Sequence, residues 1–193
     1  ILTFLCENII FPAISHIILK IRIIDTCVYL KEPSSAKIGY FLNLAVKKSK
    51  SSPKYIISDK GVQFYCKKFR IFCKRNKIKP RYGAIGKYGS IAFIERWFRT
   101  FKTELVRNIF IPLNKQKMQS EINDFVYWYN NYRCHQGIKG FAPSDMRNGV
   151  TDIDWKITPK FNGKVNSKDI FELEISFHNN KKYLPIFRLK KAA

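Results

Sequence analysis

The apolar positions change period several times along the chain, and each change marks an element. Residues 14–31 are rich in Ile, Val and Tyr with short polar interruptions, which predicts one or two strands without clean alternation. In "EPSSAKIGYFLNLAVKKS", Pro33 and Ser34 supply a start, and Ile38, Phe41, Leu42, Ala45 and Val46 fall on one helical face. A short β-prone run, "YIIS", follows. Next, "GVQFYCKKFRIFCKRNK" sets Val62, Cys66, Phe69, Phe72 and Cys73 on one side of a single predicted helix, with Lys67, Lys68, Arg70, Lys74 and Arg75 on the other.

The pattern continues with a short strand over residues 78–85 and a glycine-punctuated loop, "GKYGS", ending on Ser90 as a helix cap. The helix predicted over 91–105 carries an apolar stripe of Ile91, Ile94, Phe98, Phe101 and Leu105. Another over 115–132 carries Met118, Ile122, Phe125, Tyr129 and Tyr132. From residue 147 the texture becomes polar and irregular. Beyond it Phe171, Leu173, Ile175 and Phe177 alternate, turn near Asn179 and Asn180, and return from Tyr183 to Leu189 as a hairpin. The expected division is a core over 1–146 with its first strand incomplete or degenerate, a linker over 147–169 and a C-terminal hairpin over 170–193. Strands alternating with helices predict an α/β layer architecture.

Charge adds a partner to this picture. The 193 residues hold 36 Lys and Arg against 14 Asp and Glu, a formal charge of +22, well beyond what solubility requires. A polyanion partner follows, and nucleic acid is the natural one because neutralised phosphates release counterions. The five cysteines form no C-x-x-C pair, and His16, His135 and His178 are isolated, so no zinc set is present. Scattered cysteines of odd number read as reduced thiols of an intracellular protein, in cytoplasm or nucleoid. The apolar run over 9–24 is interrupted by Pro12, His16, Lys20 and Arg22, which makes a poor membrane span.

In so basic a chain, an acid at a strand tip stands out. Asp59 follows "YIIS" at a carboxyl end of the predicted sheet, where functional side chains gather. Glu95 comes after 35 intervening residues, in the first turns of a helix that follows the glycine loop. Converging carboxylates suit Mg²⁺, which takes oxygen ligands and keeps waters for a substrate phosphate to displace. Two such ions would support in-line phosphoryl transfer. The plainer reading keeps Asp59 as a solvated acid, Glu95 as an i,i+4 partner of Arg99, and Lys102 as a solvated lysine two turns after Glu95. For His135 the plainer reading is a polar residue near a helix end.

The segments "SDKGVQF", "GAIGKYGSIAFIERWFRTFK" and "YNNYRCHQGIKGFAPSDM" resemble the catalytic core of DDE transposases and retroviral-type integrases, in the family's order and with its 35-residue gap between second and third acids. The resemblance spans roughly residues 28–148. It implies an RNase H-like mixed sheet with flanking helices, dependence on Mg²⁺ or Mn²⁺, and cutting and joining of transposon ends and target DNA by a homo-oligomer. Asp59 and Glu95 match the second and third acids of the triad and so would be catalytic and metal-holding. Lys102 matches a DNA-contacting basic residue, and Arg99 and Lys60 complete the expected DNA contacts.

The family's first Asp is not found. Asp25 is too near Asp59, Glu7 lacks the surrounding pattern, and the missing acid is expected before Ile1. Two readings stay open: a metal-dependent strand-transfer enzyme, or a catalytically dead remnant that binds DNA through charge. A basic nuclease or RNA-binding domain is a third.

Overall fold

A computed structural model describes residues 2–6, 13–17, 24–28, 34–49, 52–58, 61–82, 92–150 and 171–191. These fall into two compact units, Ile1–Asn123 and Asp124–Ala193. The expected linker over 147–169 lies outside the described residues from 151 onward.

The first unit is built on a five-stranded mixed sheet. β1 (Leu2–Cys6), β2 (Ala13–Ile17) and β3 (Ile24–Val28) form an antiparallel meander, with Leu2 opposite Ile17 and Ala13 opposite Val28. Helix α1 (Ser35–Ser49) then carries the chain to β4 (Tyr55–Ser58), which joins β1 in parallel with Leu2 beside Ile57. Helices α2 (Val62–Tyr65) and α3 (Lys67–Arg75) lead to β5 (Lys79–Tyr82), parallel to β4. The order β3-β2-β1-β4-β5 leaves β1 central and β5 at an edge. β1 was not anticipated from the sequence. A central strand reads as a continuous apolar run without alternation, and "LTFLC" is such a run.

Where α1 meets α2 and α3, Ile38, Phe41 and Leu42 close on Ile56, Phe64, Phe69, Phe72, Cys73 and Ile78, all buried. This bears out the α1 stripe, but the single helix expected over 62–75 is broken. Cys66 is extended (φ −69°, ψ 156°), and its Sγ accepts from the Phe69 amide at 3.4 Å while donating to the Gln63 carbonyl at 3.3 Å. The thiol thereby caps α3 as a serine would. The break rotates α2, so Val62, expected in the core, is 83% exposed, and Phe64 takes its place edge-on to Phe69.

The first unit continues with α4 (Ala92–Thr100), a π-helical turn (Phe101–Leu105) and a 3₁₀ turn (Val106–Asn108), and α4 packs beside β1 and β2. Helix α5 spans Lys115–Asn131. Asn114 opens it by accepting from the Gln116 amide at 2.8 Å.

In the second unit, Phe125, Trp128 and Tyr129 of α5 are buried. His135, Gly140 and Phe141 form a tight turn before α6 (Pro143–Arg147), whose Asp145 carboxylate accepts from the Ala142 amide at 2.9 Å. The hairpin of β6 (Phe171–Phe177) and β7 (Pro185–Lys191) has the expected turn, with Asn179 and Asn180 both at positive φ. It is fastened to α5. Lys181 and Asn179 both bind the Asp124 carboxylate, at 2.7 and 2.9 Å, and the Trp128 indole donates to the Pro185 carbonyl at 2.8 Å. The alternating face Leu173, Ile175, Phe177, together with Phe187 opposite Ile175, points outward and is exposed. Among the described residues no helix is long and apolar enough to cross a membrane.

Candidate active site

β4 delivers the chain to the site through alternation: Ile56 and Ser58 are buried and Tyr55 and Ile57 are half-buried. Asp59 and Lys60 come directly after Ser58 in sequence and lie outside the described residues, as do Gly83, Gly86 and Gly89. Gly61 then caps α2, with Phe64 bonding back to its carbonyl at 2.9 Å.

Glu95 sits in the first turn of α4 and is exposed, as is Arg99 one turn later. The inward side of this helix is set by Trp97, 1% exposed, which contacts Phe101 with ring centroids 5.8 Å apart; Leu105 is also buried. Phe101 and Leu105 match the expected stripe, whereas Phe98 is only half-buried. Trp97 displaces it because the largest apolar surface gains most from burial. Two residues, or about 200° of helix, separate Glu95 from Trp97, so the anchored indole turns the carboxylate outward. Among the described residues Glu95 makes no ion pair, so the i,i+4 pairing with Arg99 is absent.

Lys102 is half-buried within the π-helical turn. There the Val106 amide reaches back to the Phe101 and Lys102 carbonyls. Side chains add further bonds to the carbonyls of this turn. The Thr103 hydroxyl donates to Arg99 and Thr100 carbonyls, at 2.9 and 3.3 Å, and the Asn108 amide donates to those of Thr103 and Glu104, at 3.0 and 3.2 Å. A π turn inside a helix is a frequent companion of functional residues.

Of the two strands flanking β4, the inner one is β1, and its five residues include no acid. Asp25 lies on β3, two strands from β1. The first acid of the triad, expected before Ile1, is therefore not supplied by the described residues of β1. Among the described residues no three His, Cys, Asp or Glu come together; Asp59 is not one of those residues. His135 is buried, edge-on to Tyr129 at 4.5 Å and 3.3 Å from the Arg133 guanidinium, which gives it a packing role.

Residues 95–150 match the integrase core domain family, and the match begins at Glu95. Among solved structures, the catalytic core domain of BIV integrase is similar with a TM-score of 0.60 and 15% identity, over 77% of this chain and 93% of that one. The HTLV-2 integrase catalytic core domain, solved in complex with magnesium in a dimeric form, is similar with a TM-score of 0.58 and 16% identity, over 74% of this chain and 90% of that one. None of the curated proteins matches. The fold is thus the RNase H-like fold of integrase catalytic cores, and residues 95–150 are similar to the integrase core domain.

Proposed function

We propose that this chain is the catalytic core of a DNA transposase or integrase that cleaves and joins DNA ends with a divalent metal. The observation that carries this reading is the mixed sheet in the order β3-β2-β1-β4-β5, with the Glu95 helix packed beside its central strands. Asp59, immediately after β4, and Glu95 would hold Mg²⁺ or Mn²⁺. The exposed Glu95 carboxylate, without an ion pair among the described residues, offers the hard oxygen donor such a cation takes. When bound, the metal supplies Lewis-acid activation of the attacking hydroxyl and stabilisation of the leaving oxygen. The protein's own side chains position the substrate: Lys102 binds a backbone phosphate, and Arg99 and Lys60 extend that contact. The dimeric HTLV-2 core favours action as a homo-oligomer on transposon ends and target DNA.

A second reading, a DNA-binding remnant without catalysis, is favoured by the absence of any carboxylate on β1. One assay separates the two. Terminal-repeat DNA is incubated with the protein and Mg²⁺ or Mn²⁺, and nicked and joined products are counted. Catalysis by this chain, abolished by Asp59→Asn and by Glu95→Gln, establishes the enzyme. Tight DNA binding without products establishes the remnant. In that case Phe4→Asp, two residues along β1 from the Leu2–Ile57 pair, is expected to restore metal-dependent nicking.

A further inference from the structure

The edge of the sheet remote from α4 carries a cluster that the proposed reaction does not use. Parallel pairing sets Tyr55 beside Lys79 and Ile57 beside Arg81, so Tyr55, Lys79 and Arg81 share one face, opposite to the one on which Ile56 and Ser58 are buried. The Arg81 guanidinium lies over the Tyr55 ring at 3.8 Å, and the Lys54 ammonium approaches the same ring at 5.6 Å. Lys54, Lys79 and Arg81 are all exposed, and none makes an ion pair among the described residues. Between Glu32 and Glu95 the only acidic residue in the sequence is Asp59.

Edge strands often bear Lys and Pro to repel other strands, and Lys79 and Pro80 of β5 serve that purpose. Protection of an edge does not explain why two further cations, from β5 and from the residue before β4, converge on one aromatic ring. Such a grouping repels itself in the free protein, and the repulsion is relieved when phosphates enter and their counterions leave. The ring fixes the guanidinium in place, which reduces the side-chain entropy lost on binding. Lys79 and Arg81, two residues apart on one strand, are spaced by about 6.6 Å. That is close to the rise of two nucleotides, about 6.8 Å, along one strand of a duplex.

We propose that the β4–β5 edge is a second DNA-backbone site, in which Lys54, Lys79 and Arg81 hold phosphates of duplex DNA and Tyr55 orients the guanidinium. The inference rests on the DNA reading above but not on catalysis, so it is tested without metal. Binding of a labelled duplex is measured by fluorescence anisotropy across a salt series. The compared proteins are the wild type, the triple variant Lys54→Gln/Lys79→Gln/Arg81→Gln, and a control of equal charge loss, Lys67→Gln/Lys117→Gln/Lys182→Gln. All six positions are exposed, and circular dichroism checks that each variant is folded. The triple variant is expected to lower the slope of log K against log salt by about three, one per phosphate contact, and the control by less than one. Arg81→Lys is expected to keep most of the slope.

Equal slopes for triple variant and control overturn the proposal while the DNA reading stands, as does a triple variant indistinguishable from wild type. A wild-type protein that fails to bind DNA overturns both.

Discussion

The two core cysteines show how little separates equivalent side chains until their surroundings are known. Burial raises the Cys73 thiol to about 11 from an ordinary value near 9.0. Burial also pushes Cys66 up, but hydrogen bonds from Ser35 and from the Phe69 and Lys68 backbone outweigh it, so its thiol falls below the ordinary value. Because the folded value of Cys73 is raised, its contribution to stability is whole below pH 9 and is lost as pH rises towards 11. We therefore expect Cys73→Val to flatten the alkaline decline in urea midpoint between pH 9 and 11. Iodoacetamide is expected to label Cys66 before Cys73, as read by peptide mass. Neither contrast was legible in the sequence, where both cysteines share the helical stripe. Glu95, by contrast, was legible as an acid in the first turns of a helix, which is where it stands, and its exposure follows from the burial of Trp97. Trp97 itself was missed. A stripe drawn through Ile94 and Phe98 treats apolar residues alike, whereas the indole claims the interior by size.

Element boundaries depend on single hydrogen-bonding side chains in this protein. Cys66 splits a helix that periodicity alone makes continuous, and Asn108 and Thr103 sustain a π turn that periodicity does not register. Asn108→Ala removes two bonds to the Thr103 and Glu104 carbonyls on an exposed surface. The expected loss is about 1 kcal/mol, measured by urea unfolding, with at least as large a loss for the isosteric Asn108→Asp, whose carboxylate cannot donate to a carbonyl. Helices α1 and α5 and the hairpin were readable because their apolar residues recur at a clean period and end at marked turns. β1 was not, since a short apolar run has no period to show, and the same run hides the absence of an acid beside β4. The direction in which the hairpin faces also escaped the pattern. Alternation identifies two sides but not which one turns inward, and Leu184 and Ile186, rather than the more conspicuous Leu173 and Ile175, are the buried residues.

For the whole molecule, the order of strands and helices foretold the α/β class, since it depends on sequence order rather than on any single contact. The resulting surface combines two forces that salt moves in opposite directions. The formal charge of +22 holds copies apart, while Leu173, Ile175, Phe177 and Phe187 leave an oily ribbon along the hairpin. At about 1 M salt the Debye length shrinks to about 3 Å and the repulsion vanishes, but apolar attraction persists. Washing away adventitious polynucleotide with concentrated salt should therefore make the protein clump, visible as rising light scattering. Leu173→Lys should keep it clear under the same wash, so the ribbon governs how this chain can be handled at the bench.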